Sequence, residues 1–301
     1  MKKDFLSIAE LTKDEVYKLL ALTDKLKKDP SIKPLAGKTV AMIFQKPSLR
    51  TRVSFEVGIV HLGGHPIFLS NEGIGIGVRE SALDVSNMLS RYNNLIVARL
   101  FKHQLLLDLA NYSSIPVINA LTDLSHPCQI LSDLYTIQQH GKLTPMAKLS
   151  YVGDGNNVCN SLIELASIIP FHLSLAIPFG YEPNKDILEA AQKTGVSKIE
   201  IVREPKDSVI DADIVYTDTW TSMGQEKEKT KRTFDFWEYQ INESLMKHAK
   251  KDAIVMHCLP AHRGEEITDG VLDGPQSVVN DQGENRLHVQ KAIMASLVGI
   301  L

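Results

Sequence analysis

Cysteines and long apolar runs are scarce in this chain. Its three cysteines, Cys128, Cys159 and Cys258, are an odd number without the spacing of a disulfide framework, which indicates thiols in a reducing compartment such as the cytoplasm. The sequence has no uncharged run long enough to span a bilayer and no apolar stretch of signal-peptide length near the N-terminus. We therefore expect a cytoplasmic protein with no membrane segment.

A strong excess of one charge is also missing. The 301 residues include 33 Lys and Arg against 36 Asp and Glu, and the formal net charge is -3. The short basic runs at 25–28 and 227–232 are flanked or interrupted by acids, so the electrostatic pattern of a nucleic-acid or membrane binder is absent. Hydrophobic residues make up 44% and charged residues 23%, which excludes a disordered or fibrous protein. The length allows about two domains.

Short apolar runs alternate with helical patterns along the whole chain. A capping-box pattern of Thr12 and Glu15 opens the first amphipathic helix. Strands are predicted at 39–44, 66–69, 95–100, 117–119, 149–152, 173–177, 199–202, 214–216, 253–257 and 277–279. Further helices are predicted at 49–62, 82–89, 125–140, 158–168, 186–194 and 285–301.

This alternation predicts an α/β fold of two domains, each a mostly parallel sheet with helices on both faces. We place the first domain at 1–140 and the second at 141–284, linked by hinge helices, with the last helix, 285–301, packing back on the first domain. Ligands of such sheets bind beyond the carboxyl ends of the strands, so the candidate chemistry is sought there.

The first candidate follows strand 39–44. Ser48 is placed to cap a new helix, and its hydroxyl, that of Thr51, the first helical amides and an arginine together offer several donors to a phosphate. Successive helical residues differ by about 100° in direction, so Arg50 and Arg52 point to opposite sides and we predict Arg50 as the ligand. The alternative is an ordinary capped helix with surface arginines.

A second candidate opens helix 125–140. His126 and Gln129 lie three residues apart on one helical face, and both can donate to a developing oxyanion. A helix-capping or core histidine is the alternative. Metal ligation by His126 and Cys128 is less favoured, because two residues of helix separate directions by about 200°.

The third candidate is the end of strand 253–257. Cys258 could be a nucleophile, although the sequence supplies no paired base, and a small buried hydrophobe is the alternative. His257 and Cys258 would face opposite sides of a shared strand, so we expect that they do not readily hold one metal ion.

Asp218 follows strand 214–216, where a carboxylate with neighbouring hydroxyls suits a substrate ammonium group. The charged stretch 225–232 after it is interpreted as a solvated face or, with Gly224 at its base, as a mobile lid. The turn 153–157 is glycine-rich but lacks the third glycine of a dinucleotide site, so it is weak evidence for NAD.

Together these motifs resemble those of the ornithine carbamoyltransferase family. They are Ser48-Leu49-Arg50-Thr51-Arg52, His126-Pro127-Cys128-Gln129, Asp218 with Ser222-Met223-Gly224, and His257-Cys258-Leu259-Pro260. The motifs occur in the family's order, and the similarity runs from the first helix to 284–286 before the last.

The resemblance implies transfer of the carbamoyl group of carbamoyl phosphate to the δ-amine of L-ornithine, with no cofactor and no metal. It implies that the first domain is the carbamoyl-phosphate-binding domain. The implied ligands of carbamoyl phosphate are Ser48, Leu49, Arg50, Thr51, Arg99, His126 and Gln129, with Cys258, Leu259 and Arg286 from outside 1–140. The ornithine residues it implies are Asn157, Asp218, Ser222 and Met223, in the second domain. The residues implied in catalysis are Arg50, His126, Asp218, Cys258 and Arg286. It also implies a role in arginine metabolism and a homotrimer, or a multiple of one.

Two positions depart from the family's pattern. Leu49 replaces a usual threonine, which removes one hydroxyl donor and predicts weaker phosphate binding. Gly75 stands where a neighbouring subunit usually offers a glutamine, and Arg79 is the nearby candidate to replace it.

Other functions remain open from the sequence. Aspartate as acceptor is disfavoured because those relatives carry Pro-Leu-Pro at 258–260, and acylated ornithine because those relatives lack the loop at 222–224. Putrescine is not excluded. A nucleotide-binding oxidoreductase and a non-catalytic amino-acid-binding protein are the alternatives from other classes.

Overall fold

We describe the chain from a computed structural model that covers residues 4–70, 75–222 and 224–299. The chain divides into two compact units. Unit 1 takes the described residues up to Tyr135 and those from Glu284 onward, and unit 2 is Thr136–Gly283. In the described ranges, every helix is too short or too polar to cross a membrane.

Unit 1 contains a parallel four-stranded sheet. Its strands are β1 (Thr39–Phe44), β2 (His65–Ser70), β3 (Leu95–Arg99) and β4 (Val117–Leu121), in the order β2-β1-β3-β4. The helices of this part are α1 (Lys13–Lys28), α2 (Leu49–His61), α3 (Ala82–Tyr92), α4 (His103–Tyr112) and α5 (Pro127–Gln139), after a short 3-10 helix, Ile8–Glu10. Strands β3 and β4 are buried along their whole length, as parallel strands covered on both faces require.

Unit 2 contains a parallel five-stranded sheet. Its strands are β5 (Lys148–Val152), β6 (His172–Ala176), β7 (Lys198–Val202), β8 (Ile214–Thr217) and β9 (Ile254–His257), in the order β7-β6-β5-β8-β9. Its helices are α6 (Asn157–Ala166), α7 (Lys185–Thr194), α8 (Pro205–Val209), α9 (Lys229–Asp235), α10 (Glu243–Met246) and α11 (Asp269–Leu272), with 3-10 helices Glu226–Glu228 and Trp237–Tyr239. Helices α5 and α12 (Val279–Leu297) each begin in one unit and end in the other.

These two parallel sheets with their helices confirm the predicted α/β fold class. In each sheet the strand order reverses once, between β1 and β3 in unit 1 and between β5 and β8 in unit 2. Ligands of open parallel sheets bind beyond the carboxyl ends of the strands at such a reversal. The loops after these four strands are therefore the places where the fold favours a site.

Helix α12 packs on α2 within unit 1. A Cβ added at Gly58 would lie 3.3 Å from the Met294 side chain and 3.5 Å from that of Leu287. On the same helix, Lys291 Nζ donates to the carbonyl of Leu26, 3.2 Å away. The C-terminal helix thus covers elements from the beginning of the chain.

The predicted strand at 277–279 is wrong. Ser277 forms an isolated bridge with Val255, and α12 starts at Val279, earlier than the expected residue 285. Two backbone hydrogen bonds join this segment to β9: the Val255 amide donates to the Gln276 carbonyl, and the Val278 amide donates to the Val255 carbonyl. The chain then turns into the helix. A short apolar run does not by itself distinguish such a bridge from a strand.

Candidate active site

Helix α2 begins with the predicted N-cap. Ser48 is the N-cap, and its hydroxyl accepts from the Thr51 amide at 3.2 Å. The first amides of a helix have no partner within the helix and carry the positive end of its dipole. The side chain of Leu49, the first residue of α2, is 75% exposed and is not packed over the helix start. The half-buried Arg50 follows it.

Arg52 lies in a different environment from Arg50. Its Nε donates to Glu56 at 2.9 Å, and its guanidinium carbon lies 3.5 Å from the centre of the Phe68 ring. These contacts hold Arg52 against β2 and occupy its charge. That Arg50 rather than Arg52 binds the phosphate stays a prediction.

Two further arginines converge on Thr51. Arg99, the last residue of β3, donates from Nη1 to Thr51 Oγ1 at 3.3 Å, and Arg286 of α12 donates from Nη2 to the same oxygen at 3.3 Å. Arg286 also donates to Gln129 Oε1, and Gln129 Nε2 donates to Asp133 at 2.9 Å. All five side chains are buried. Unit 1 therefore holds two fixed cations and an amide beside the start of α2.

His126 is neutral in this environment. Burial, together with the nearby positive charges of Arg286 and Arg99, holds the pKa of its imidazole well below the usual value. The helix α5 begins one residue later at Pro127, and the His126 carbonyl accepts from the Gln129 amide at 3.1 Å. A neutral imidazole can donate one N–H to an oxyanion without carrying a competing positive charge.

Cys128 is a structural thiol. Burial raises the pKa of Cys128 to about 12, and its Sγ donates to the Asn119 carbonyl at 3.3 Å. A protonated thiol is neither a nucleophile nor a metal ligand.

In unit 2, Asp218 and Cys258 meet at the carboxyl ends of β8 and β9. Cys258 Sγ donates to Asp218 Oδ1 at 2.8 Å, and the Thr219 amide donates to the same oxygen at 2.7 Å. Asn156 Nδ2 donates to Oδ2 at 2.7 Å. Asn156 is itself fixed as the N-cap of α6, where it accepts from two backbone amides. The Asp218 carboxylate, only 7% exposed, is thus held in one orientation.

The remaining ornithine positions lie close to these elements in the chain. Asn157 is the first residue of α6 and is half-buried. Ser222 is half-buried, and its amide donates to Gln225 Oε1 at 3.0 Å. Met223 lies outside the described residues.

The charged stretch 225–232 is exposed from 227 to 231, as a solvated face requires. The expectation is wrong for Arg232, which is buried. Its Nη1 donates to Asp154 Oδ2 and to the Trp220 carbonyl, both at 2.9 Å. Burial raises the pKa of Asp154 to about 6, while the guanidinium opposes that shift. Arg232 therefore anchors the segment to the loops after β5 and β8.

His257 is positioned by contacts on both ring nitrogens. The Leu259 amide donates to Nδ1 at 2.8 Å, so the proton lies on Nε2, which donates to Glu266 Oε1 at 3.1 Å. Both His257 and Glu266 are fully buried. Leu259 has a φ of +56°, a left-handed conformation that costs a side chain about 1 kcal/mol or more. The His257 ring thereby supports the loop that carries Cys258.

The expectation that His257 and Cys258 cannot readily share a metal ion is wrong geometrically. Their ligand atoms and one from Asp218 lie within 4.8 Å of one another. The alternation rule does not apply, because β9 ends at His257 and Cys258 already belongs to the loop. Both nitrogens of His257 have hydrogen-bond partners, Glu266 and the Leu259 amide.

Comparisons with known proteins identify the family. A family model described as the aspartate/ornithine carbamoyltransferase carbamoyl-P binding domain matches residues 3–139. A second, the Asp/Orn binding domain of the same enzymes, matches residues 146–297. An ornithine carbamoyltransferase of Syntrophus aciditrophicus is 51% identical over 302 residues, 99% of this chain and 100% of that protein. The chain belongs to the ornithine carbamoyltransferase family.

Two further ornithine carbamoyltransferases also match nearly the whole chain. The ornithine carbamoyltransferase of Chlorobaculum tepidum is 50% identical, with 99% of this chain and 90% of that protein covered. The solved structure of ornithine carbamoyltransferase from Pyrococcus furiosus matches with a TM-score of 0.94 at 45% identity, covering 99% of this chain and 98% of that one. The family resemblance drawn from the motifs is confirmed.

Within the ornithine carbamoyltransferase family, the departure at Gly75 has a local backbone reason in this chain. Gly75 has a φ of +60°, and its carbonyl accepts from the amides of Val78 and Arg79 at 2.9 and 2.6 Å. A Cβ at this position would lie 2.9 Å from the Arg79 Cβ. A glutamine therefore does not fit this turn without rearrangement.

Sequence reasoning missed three side chains that hydrogen-bond to candidate site residues or to the neighbouring His257. They are Asp133 behind Gln129, Asn156 behind Asp218 and Glu266 behind His257. Asn156 carried a usable signal, because an asparagine preceding a helix is a favoured N-cap.

Proposed function

We propose that this protein transfers the carbamoyl group of carbamoyl phosphate to the δ-amine of L-ornithine, giving L-citrulline and phosphate. The observation that carries the proposal is the Cys258–Asp218 contact of 2.8 Å. A buried, oriented carboxylate with a thiol beside it suits an alkyl amine, and near-full-length relatives at about 50% identity are named ornithine carbamoyltransferases.

Carbamoyl phosphate binds at the start of α2. The Ser48 and Thr51 hydroxyls, the Leu49 amide and Arg50 hold the phosphate, and Arg99 adds a second guanidinium. His126, Gln129 and Arg286 bind the carbamoyl end, together with Cys258 and Leu259. The converging contacts on Thr51 at 3.3 Å support this assignment, because they fix two guanidinium groups before the substrate arrives.

The reaction is a direct attack of the amine nitrogen on the carbonyl carbon. A C–N bond forms, the C–O bond to phosphate breaks, and the proton that the amine nitrogen loses passes to the departing phosphate. Negative charge grows on the carbonyl oxygen, where Arg286 and the neutral His126 donate, and on the leaving phosphate, which Arg50 and Arg99 hold. No covalent enzyme intermediate is required. The Cys258 thiol donates a hydrogen bond to Asp218, which suits a role in orienting the amine.

Ornithine binds through residues after β5 and β8. Asp218 and Cys258 receive the δ-amine, and Asn157, Ser222 and Met223 receive the amino-acid end. The half-buried positions of Asn157 and Ser222 support this assignment. A homotrimer, or a multiple of one, and a cytoplasmic location are part of the proposal. The location is supported by the three cysteines, all within the described ranges, which form no disulfide.

A product assay tests the proposal. The protein is offered carbamoyl phosphate with L-ornithine, putrescine, L-aspartate or N-acetyl-L-ornithine in separate reactions, and the ureido product and phosphate are measured together. We expect equal amounts of citrulline and phosphate with ornithine and little product with the other three. A preference for putrescine would leave the phosphate site intact and overturn the ornithine assignment. Phosphate release without any ureido product would overturn the transfer itself.

The pH dependence of kcat/KM for ornithine is a second test. An alkyl amine with a pKa of about 10.4 is neutral about once in 2,500 molecules at pH 7, which corresponds to about 4.6 kcal/mol. We expect the logarithm of kcat/KM to rise with pH over about pH 6 to 9 with a slope of about one. We expect no inflection from His126 in this pH profile, because burial holds the pKa of its imidazole well below the usual value. A flat profile would show that deprotonation of the amine does not limit the attack.

A further inference from the structure

A cluster of three side chains after β9 has no proposed contact with either substrate. They are His262, Glu265 and Glu266, on the loop that follows Cys258 and Leu259. His262 Nδ1 lies 3.9 Å from Glu265 Oε2 and 3.7 Å from Glu266 Oε2. One possible ligand atom from each of the three residues lies within 4.8 Å of one from each of the others.

His262 Nδ1, Glu265 Oε2 and Glu266 Oε2 are buried, and none has a hydrogen-bond partner among the described residues. Glu266 is fully buried, and the side chain of Glu265 is 25% exposed. A carboxylate oxygen removed from water without a partner costs several kcal/mol, so buried charges are paired or bind metals. Two such oxygens and an imidazole nitrogen aimed at one point form an arrangement that a cation would satisfy.

Contacts on the outer atoms hold the two carboxylates in place. Glu266 Oε1 accepts from His257 Nε2 at 3.1 Å and from the His262 amide at 2.5 Å. Lys229 Nζ lies 2.8 Å from Glu265 Oε1. Each carboxylate is thus fixed by one oxygen and presents the other to the shared space. Outer-shell contacts of this kind orient the ligands of metal sites in proteins.

We propose that His262, Glu265 and Glu266 bind a divalent transition-metal ion. One imidazole nitrogen with two carboxylate oxygens is a ligand set for Zn²⁺, Co²⁺ or Mn²⁺, whereas Mg²⁺ and Ca²⁺ prefer oxygen alone. Metal–ligand distances of about 2.1 Å require ligands about 3.0 to 3.4 Å apart, so the side chains close by less than about 1 Å for the His262 pairs. Water completes the coordination, and the side chain of His262 is 40% exposed.

The site lies beside the candidate active site but is chemically distinct from it. Glu266 accepts from His257, and the other nitrogen of that ring accepts from the Leu259 amide. The other cluster of possible ligands, Asp218, His257 and Cys258, includes a thiol. A metal ion bound there would show a thiolate absorption band, which an ion bound by His262, Glu265 and Glu266 lacks. This inference rests on the contacts of the three side chains and stands whether or not the proposed reaction is correct.

Cobalt titration of the chelator-treated full-length protein tests the proposal. Co²⁺ binding is followed by its visible absorption and by calorimetry in wild type, His262→Gln, Glu265→Gln and Cys258→Ser. We expect one ion per chain, weak visible bands without an intense near-ultraviolet thiolate band, and unchanged binding in Cys258→Ser. We expect His262→Gln and Glu265→Gln each to weaken binding at least about tenfold.

His172→Gln is the matched control, because His172 Nε2 pairs with Glu200 at 2.7 Å outside the cluster and should not affect cobalt affinity. Melting of each variant without metal shows whether it folds, and the two cluster variants provide independent tests. A thiolate band that disappears in Cys258→Ser, with affinity unchanged in the two cluster variants, would assign the ion to Cys258 and overturn the proposal. Absence of stoichiometric binding in wild type would overturn it as well.

Discussion

Replacing Arg50 by glutamine is expected to lower kcat/KM for carbamoyl phosphate about a thousandfold, equivalent to about 4 kcal/mol. The guanidinium at the start of α2 is proposed to hold the phosphate with two parallel hydrogen bonds while charge develops on it. Glutamine keeps one donor but carries no charge and cannot reproduce the fork. The loss should appear in kcat as well as in KM, because the leaving phosphate carries more charge in the transition state than in the ground state.

Arg52→Gln is the matched control two residues further along α2. Its guanidinium already contacts Glu56 at 2.9 Å and the Phe68 ring at 3.5 Å. A half-exposed ion pair of this kind contributes about 1 kcal/mol or less, so we expect kcat/KM to stay within about threefold. Steady-state measurement of kcat/KM for carbamoyl phosphate in both variants tests this difference. Equal losses in the two variants would mean that helix α2 offers no specific arginine to the phosphate.

Asp218→Asn is expected to lower kcat/KM for ornithine about 100- to 1,000-fold while the affinity for carbamoyl phosphate stays within about threefold. The carboxylate receives Cys258, Asn156 and the Thr219 amide at 2.7 to 2.8 Å. Asparagine removes its negative charge and leaves one of these donors facing an NH₂ group. The amine then loses the acceptor that orients it.

Asp213→Asn provides the control for Asp218 because it changes a carboxylate just before the other end of β8. Asp213 Oδ2 accepts from the Lys148 amide at 3.0 Å, and Oδ1 pairs with Lys250 at 2.8 Å. Its loss should lower the melting temperature without changing kcat/KM for ornithine by more than about threefold. Ornithine saturation curves and phosphate-analogue titrations separate the two effects. Full activity in Asp218→Asn would remove the carboxylate from the acceptor site.

The fold class could be predicted because the local patterns agree with one another. The prediction for β1 matches its observed bounds, and the capping box at Thr12 is observed, with the Thr12 amide donating to Glu15 at 2.8 Å. Helix α4 (His103–Tyr112) was missed, since it begins after Lys102 without a side-chain cap. The short helices α8, α10 and α11 have too few residues to establish a period.

Candidate positions could be named from the sequence where a strand end meets a helix start, as at Ser48 and His126, whereas Asn157 was named only through the family resemblance. The sequence does not predict which distant residues converge, and neither Arg286 reaching Thr51 nor Glu266 reaching His257 has a local signal. Arg232 was predicted to be exposed because it follows the polar residues 227–231, which are exposed. Its buried partners Asp154 and Trp220 are distant in sequence and give no local signal. The roles of the site residues in binding and catalysis stay predictions that the variants above address.

The central claim is that a carbon–nitrogen bond forms between the carbamoyl group and the δ-nitrogen of ornithine. The most direct test supplies the enzyme with ¹³C-carbamoyl phosphate and ornithine labelled with ¹⁵N at either the δ or the α position, and records the carbon spectrum. We predict one-bond ¹³C–¹⁵N coupling in the product from δ-labelled ornithine and none from the α-labelled form. Coupling to the α-nitrogen, or ¹³C released with no bond to nitrogen, would contradict the proposed reaction.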